Sequence, residues 1–141
     1  MQFSGKCHDL DLVALNGLWT KSQWEQELSD RNKLCLGIFM NSRIVAIVSG
    51  TLILDELEIN VVAVDPSIRR IGLGEKVISK ILYLSHSLGA KRAILEVKSN
   101  NYAANQLYKK IGFKTCGYRK KYYRDGSDAI IYELDLNIKE S

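Results

Sequence analysis

Val64-Asp65-Pro66-Ser67-Ile68-Arg69-Arg70-Ile71-Gly72-Leu73-Gly74-Glu75 is a passage from a strand into a helix. Residues 58–64 are β-rich and stop at Asp65-Pro66, where the proline fixes φ and removes a ladder donor. Downstream, Leu73, Val77, Ile81, Leu84 and Leu88 recur at helical spacing, and Gly89 supplies a C-terminal cap. A helix therefore starts at Gly72-Leu73-Gly74. Its first turn has N–H groups without intrahelical partners, and the macrodipole makes that end positive. Glycines keep side chains from shielding the backbone. Arg69 and Arg70 add guanidinium donors for charge-assisted hydrogen bonds. Such a loop binds a pyrophosphate. On this segment alone an ordinary strand-to-helix turn reads equally well. Two other phosphate loops are excluded: a GxGxxG fingerprint needs glycine at Val77, and the Gly-Lys-Ser/Thr of a P-loop does not occur.

Outward from this loop the patterns are regular. Residues 34–40 and 44–54 are apolar, β-branched runs, with Asn41-Ser42 as a hairpin turn and Asp55-Glu56 as the next turn. Residues 93–97 read as a short strand and 101–110 as a helix closed by Gly112. Residues 113–123 and 129–136 read as two strands joined around Asp125-Gly126-Ser127. Near the start, Leu10, Val13, Ala14 and Leu18 recur at helical spacing. Ser22-Gln23-Trp24-Glu25 fits a capping box in which Ser22 caps and Glu25 reaches back. Trp19, Trp24 and Leu28 form a small apolar face. The order is helices, three strands, helix, strand, helix, two strands. It predicts an α/β fold as one domain over residues 1–141, with a mixed central sheet and helices on both faces.

Composition agrees. The chain has 141 residues, 46% hydrophobic and 26% charged, which supports one core and argues against disorder or collagen. Lys plus Arg number 20 against 16 Asp plus Glu, a net charge of +4. That suits an anionic ligand and falls short of a nucleic-acid signature. Residues 109–124 hold seven basic residues and no acid. Within them, residues 117–124 interleave aromatics and cations, a pattern nucleic-acid binding can use; a solvated strand edge defended by charge is the stronger reading. Cys7, Cys35 and Cys116 are odd in number and widely spaced, and His8 and His86 are far apart, so neither a metal site nor a disulfide framework is expected. Reduced thiols, no secretory h-region and no apolar run of about 18–20 residues point to a cytoplasmic protein without a membrane partner.

Three further residues carry chemistry. Glu96 interrupts an apolar strand and alternates away from Leu95 and Val97. Enclosure would raise its pKa into the range of a general base; the plainer reading is an exposed acid, or one paired with a lysine. Asn101 stands where a helix cap belongs. Tyr108 follows seven residues on, on nearly the same helix face, and reads by default as a core aromatic.

Arg69-Arg70-Ile71-Gly72-Leu73-Gly74 resembles the R/Q-x-x-G-x-G/A loop of the GNAT superfamily of acetyl-CoA-dependent N-acetyltransferases. Leu95-Glu96-Val97 through Asn101, Ala104, Leu107-Tyr108 and Gly112-Phe113 is similar to the L-E-V-x-x-x-N-x-x-A-x-x-L-Y-x-x-x-G-F block of its RimI subfamily, the ribosomal protein alanine N-acetyltransferases. Tyr122-Tyr123 and Asp128-Ala129-Ile130-Ile131 are similar to that subfamily's C-terminal block. Trp19-Thr20-Lys21-Ser22 resembles its P-W-S segment, with Leu18 where proline is usual. The resemblance spans nearly the whole chain and implies a GNAT-like fold whose strand before the loop splays from its neighbour. By it, Val62, Ala63 and Val64 line the pantetheine arm of acetyl-CoA. Arg70, Ile71, Gly72, Leu73, Gly74 and Glu75 hold the pyrophosphate, with Arg69 beside them, and Asn101 contacts the arm. Glu96 is the general base and Tyr108 the acid that protonates the departing sulfur. The acceptor it implies is the N-terminal alanine of small-subunit ribosomal protein number eighteen, with no direct nucleic-acid contact.

Acyl transfer from a thioester needs a neutral amine. An α-amino group has a pKa of about 7.7–8.0 against about 10.4 for lysine, so one carboxylate suffices for an N-terminus. The oxyanion takes a backbone donor near Val64. Transfer is direct within a ternary complex. Cys35 and Cys116 lack a histidine partner in any evident motif and read as buried structural thiols. Glu56 and Glu58 are rival bases. Other acceptors (other protein N-termini, lysine, a small amine) stay open. A non-catalytic acyl-CoA sensor also stays open, although retention of both Glu96 and Tyr108 argues against it. Tyr122 and Tyr123 receive no individual role.

Overall fold

In the computed structural model, which describes residues 3–68 and 71–137, the apolar runs become strands and the helical patterns become helices. Arg69 and Arg70 lie outside the described residues. Helices α1 (Phe3–Ala14) and α2 (Lys21–Ser29) lead into β1 (Lys33–Met40), β2 (Arg43–Ile53) and β3 (Glu56–Val64). A short 3-10 turn (Pro66–Ile68) precedes α3 (Leu73–Ser87). Then follow β4 (Arg92–Lys98), α4 (Tyr102–Ile111), β5 (Lys114–Arg119) and β6 (Ala129–Asp135). The strands form a six-stranded sheet in the order β1-β2-β3-β4-β6-β5. Its neighbours are antiparallel except β3 and β4. Those two parallel strands are joined by the crossover helix α3, since parallel neighbours need a long return.

The hairpins follow their turn residues. Asn41 and Ser42 take φ of 52° and 67°, the left-handed pair that matches strand twist in a two-residue turn. The β2–β3 turn falls at Leu54-Asp55, one residue earlier than the sequence suggests, with Leu54 at φ 57°. β2 is buried continuously from Ile44 to Gly50, because helices cover the sheet on both sides. On one face Val48, Leu57, Leu95 and Val97 pack under α3 and α4. On the other, Ile44, Ile47, Val61 and Ala63 pack under α1 and α2 with Cys7, Leu10 and Trp24.

Residues 15–20 are held by one buried carboxylate. Asp11 accepts from the Leu18 and Trp19 amides at 2.7 and 2.8 Å and from Trp24 Nε1 at 2.8 Å. Trp19 and Trp24 meet edge-on at 4.7 Å, and Leu28 joins them, as the apolar pattern implied. Leu18 lies outside both helices. The capping box is real but begins at Thr20, not Ser22: Thr20 Oγ1 accepts from Gln23 N at 3.1 Å, and Gln23 Oε1 accepts from Thr20 N at 2.8 Å. Both quartets fit the Ser/Thr-x-x-Glu/Gln pattern. The extended backbone of Thr20, next to the Asp11-anchored Trp19, selects the earlier one.

The strand expected over residues 113–123 is shorter. β5 ends at Arg119, and Lys121 takes φ 49° while its amide donates to Asp128 Oδ1 at 2.9 Å. Residues 120–128 are thereby a loop tied to itself. β5 is the exposed edge of the sheet, as its charge pattern indicated.

Candidate active site

A bulge in β3 opens the site. Ile59 pairs with Gly50 of β2 and Val61 with Ser49, so Asn60 is an extra residue. Thr51 Oγ1 donates to Asn60 Oδ1 at 2.9 Å and holds it there. Gly50 permits the approach: a Cβ at that position would lie 2.9 Å from the Glu58 carbonyl oxygen and 2.9 Å from Leu57 Cδ1. Beside the bulge the parallel ladder stops. β3 pairs with β4 from Glu56–Arg92 to Ile59–Leu95 and no further. Past that rung each strand stays with its other neighbour, Val61 and Ala63 with β2, Glu96 and Val97 with β6. The two strands part at their C-terminal ends, where ligands enter sheets of this kind.

Main-chain alternation sets what faces the gap. The Asp65 amide donates to Val45 O of β2 at 2.8 Å. Ala63 is in phase with it and pairs with Ile47. Val62, out of phase, turns its amide and carbonyl toward the parting strands. Asp65 itself is buried, accepts from Ser67 N at 2.9 Å and Ser67 Oγ at 2.8 Å, and pairs with Arg43 at 2.6 Å. The Ser67 hydrogen bonds chiefly hold its carboxyl below the usual range, against burial and with help from Arg43. This lock fixes the exit of β3 toward α3.

At α3 the helix N-terminus is open. Gly72 is the cap residue, at φ 81° and ψ 17°, and contributes no side-chain hydrogen bond. The helices α2 and α4 are capped by Thr20 and Asn101 instead. The first intrahelical bond is Lys76 N to Gly72 O at 3.0 Å, so the amides of Leu73, Gly74 and Glu75 precede the ladder. The two glycines serve different ends. A Cβ on Gly72 meets nothing within 4 Å, so glycine there serves the left-handed φ. A Cβ on Gly74 would lie 3.2 Å from Leu107 Cδ2 and 3.6 Å from Val64 Cγ2, so glycine there lets α3 approach α4 and β3. Ile71 is exposed, and a groove of about 580 Å³ runs from Gly72 along α3 past Glu75, Lys76 and Lys80. An uncapped N-terminus with open space above its glycine fits an anion such as a pyrophosphate.

Glu96 stands first past the last β3–β4 rung, on the sheet face opposite Leu95 and Val97. It is not enclosed. Its side chain is 33% exposed and pairs with Arg119, Nε to Oε2 at 2.7 Å. The desolvation expected from sequence is therefore not the basis of any role it has, and its partner is an arginine from β5 where a lysine was anticipated. Tyr108 is buried on the other face, among Phe113 at 5.9 Å and Tyr132 at 6.0 Å between ring centroids. Burial pushes its phenol up to about 12. Glu96 and Tyr108 thus lie on opposite faces of the sheet.

Asn101 caps α4, with Oδ1 accepting from Ala104 N at 3.2 Å. Asn105, which the sequence did not single out, anchors the same turn. It donates to Lys98 O and Asn101 O at 3.1 and 2.7 Å and accepts from the Tyr132 hydroxyl at 2.5 Å. The network ties α4 to β4 and β6 one turn before Tyr108.

The remaining candidates separate by position. Glu56 pairs with Arg92 at 2.7 Å on the first β3–β4 rung, the end away from the gap. Glu58 is exposed within the paired stretch. Cys7 is buried, and the hydrogen bond its thiol donates to its neighbour Cys35, with burial, pushes its thiol up. Cys35 is half-buried, whereas Cys116 is exposed and not the buried thiol expected, because it is the extra residue of a bulge on the edge strand β5. Among the described residues no cluster of three His, Cys, Asp or Glu side chains is set to hold a metal ion, and no helix is long and apolar enough to cross a membrane.

An open, glycine-led helix N-terminus beside two parting parallel strands is a frame suited to an anionic ligand. Residues 7–113 match the Acetyltransferase (GNAT) family, and the chain belongs to that family. It is 30% identical over 123 residues to the [ribosomal protein bS18]-alanine N-acetyltransferase of Escherichia coli (strain K12), covering 85% of this chain and 82% of that protein. The crystal structure of the ribosomal-protein-S18-alanine N-acetyltransferase from Escherichia coli matches with a TM-score of 0.89 at 25% identity, over 100% of this chain and 94% of the other. An aminoglycoside 6′-N-acetyltransferase complexed with coenzyme A shares the fold at a TM-score of 0.83 and 12% identity, over 98% of this chain and 93% of that one.

Proposed function

We propose that the protein transfers the acetyl group of acetyl-CoA to the α-amino group of a protein N-terminus, and that its acceptor is the N-terminal alanine of ribosomal protein bS18. The parting of β3 and β4 beside Glu96 carries the catalytic reading. The activity toward bS18 for which the relatives are named supports the acceptor, and such an acceptor supports a cytoplasmic reaction.

Acetyl-CoA, when bound, supplies an activated thioester. The Leu73, Gly74 and Glu75 amides hold its anionic diphosphate at the positive end of α3, and the Arg69 and Arg70 guanidinium groups supply further charge-assisted donors. The Val62 main chain, with Ala63 and Val64 along the same strand and Asn101 opposite, orients the arm in the gap. Glu96 takes the proton of the acceptor ammonium. An N-terminal amine with a pKa of about 7.7–8.0 asks little of its base, so an exposed carboxylate serves. Tyr108, still protonated at any working pH, donates to the sulfur as it departs. No cysteine is consumed.

A peptide panel with acetyl-CoA tests this: an Ala-starting bS18 N-terminus, other N-termini and an internal lysine. The bS18 peptide is expected to lead. Preference for lysine overturns the acceptor assignment. Glu96→Gln is expected to lower turnover, with partial recovery as pH rises and free amine accumulates; full activity overturns the base assignment. A melting temperature unmoved by saturating acetyl-CoA overturns the reading outright, because about 2.7 kcal/mol of stabilisation is expected at a hundredfold excess over Kd.

A further inference from the structure

The Glu96 carboxylate has one partner among the described residues. Arg119 Nε lies 2.7 Å from Oε2 as an ion pair, and no other described residue forms a hydrogen bond or ion pair with this side chain. Arg119 is itself held from the far side. Its guanidinium carbon lies 5.3 Å from the Tyr122 ring centroid, and Tyr122 meets Tyr123 edge-on at 5.2 Å. Tyr123 in turn faces the Lys98 ammonium at 5.3 Å, and Lys98 pairs with Asp125 at 3.4 Å. Glu96 and Lys98 are two residues apart on β4 and share a face. The loop of residues 120–128 is therefore fastened to that face twice, once through each side chain.

The sheet leaves room for the reach. Glu96 pairs with Ile131 of β6, and Ile131 pairs with Gly117 of β5. A Cβ on Gly117 would lie 3.4 Å from Ile131 Cδ1, so the row between the carboxylate and β5 holds no further side chain. Arg119 is two residues beyond Gly117, on the same face. The bulge at Cys116 sets that phase, because Thr115 pairs with Tyr132 and Gly117 with the adjacent Ile131.

We infer that Arg119 is a positioning residue for the acyl transfer: as the one described partner of the Glu96 carboxylate, it fixes the orientation in which that carboxylate meets the acceptor amine. The inference rests on Glu96 being the base. The pattern is that of a base oriented by a third group, with an arginine in the orienting role. A guanidinium suits it, because its carbon lies over the Tyr122 ring at 5.3 Å while its Nε reaches the carboxylate. The pair is exposed, with side chains 54% and 33% accessible, so it contributes little to stability. Its effect is on geometry at the reacting amine, to which rates are steeply sensitive.

Steady-state kinetics with the bS18 peptide test the assignment. Arg119→Gln is expected to lower kcat about three- to tenfold and to leave the acetyl-CoA KM unchanged. Its melting temperature stays within about 2 °C of wild type, as an exposed pair requires. Arg119→Lys restores part of the rate, since it keeps a cation but loses the planar guanidinium. In a Glu96→Gln background, Arg119→Gln adds no further loss. An unchanged kcat in Arg119→Gln, or an equal loss in both backgrounds, overturns the inference while leaving Glu96 as base. Full activity in Glu96→Gln with Arg119 intact overturns the base assignment and the inference together.

Discussion

Gly50→Ala puts a methyl group where two strands nearly touch. The new Cβ would lie 2.9 Å from the Glu58 carbonyl oxygen and 2.9 Å from Leu57 Cδ1. Leu57 is fully buried in the α3/α4 core and has little space to turn. The carbonyl belongs to a strand paired on its other edge to Ile94 of β4. Relief therefore moves β3 against β4 or pushes β2 and β3 apart. Overpacking of this kind costs about 1–3 kcal/mol. Replacing glycine in a strand returns about 0.5–1 kcal/mol of backbone entropy. The steric cost wins, at roughly 1–2 kcal/mol net, which lowers the melting temperature by about 3–7 °C in a chain of this size. The variant stays folded at 25 °C, so a fall in acetyl transfer there reports the altered gap between the strands. Circular dichroism melts and steady-state kinetics read both. A variant that melts with wild type and turns over normally would refute the claim that close packing at Gly50 shapes the cleft.

Four other substitutions and conditions probe separate parts. Tyr108→Phe is expected to slow kcat at least about tenfold with acetyl-CoA Kd within about twofold, and unchanged kinetics would return Tyr108 to the core. Because burial raises Tyr108 from 10 to about 12, the unfolded chain loses this proton before the folded one does. Stability thus falls as pH rises across that interval, by roughly 2–3 kcal/mol in all; Tyr108→Phe flattens the decline, and parallel curves for the two proteins would refute it. Asp11→Ala strips acceptors from two loop amides and the buried Trp24 indole, costing about 3 kcal/mol and about 10 °C; a melt within about 2 °C of wild type would show that the loop does not depend on this carboxylate. Gly74→Val drives branches into Leu107 and pushes α3 from α4, so calorimetry should find weaker acetyl-CoA binding, and equal affinity would dissociate the helix contact from the cradle.

Sequence patterns carry local information, and the elements they specify locally came through well. The β-rich run, the proline and the helical repeat after Gly72 located the parallel crossover to within a residue or two. Asn101 and Gly112 bracket α4 as their cap chemistry requires. Errors fell where two local solutions compete. Thr20 and Ser22 both open capping quartets, and the anchor that chooses between them is Asp11, nine residues away. Residues 120–123 have strand-like composition, yet a hydrogen bond from Lys121 to Asp128 bends them into a loop. Gly50 did carry a signal, since an isolated glycine in a strand marks a bulge or a close approach. Arg119 carried none, because nothing in a run of cations says which one reaches a carboxylate 23 residues earlier.

From the amino-acid order alone follow an α/β chain, a glycine-led helix start after a strand, and a carboxylate, an asparagine and a tyrosine at spacings shared with N-acetyltransferases. Periodicity, caps and turn residues act over a few positions, which is why these features are readable in one dimension. The parting of β3 from β4, the openness of Glu96, its pairing with Arg119 and the two different duties of Gly72 and Gly74 were settled by three-dimensional packing. Each depends on how strands far apart in the chain come into register, and on which side chain fills the space between them. No local pattern encodes that.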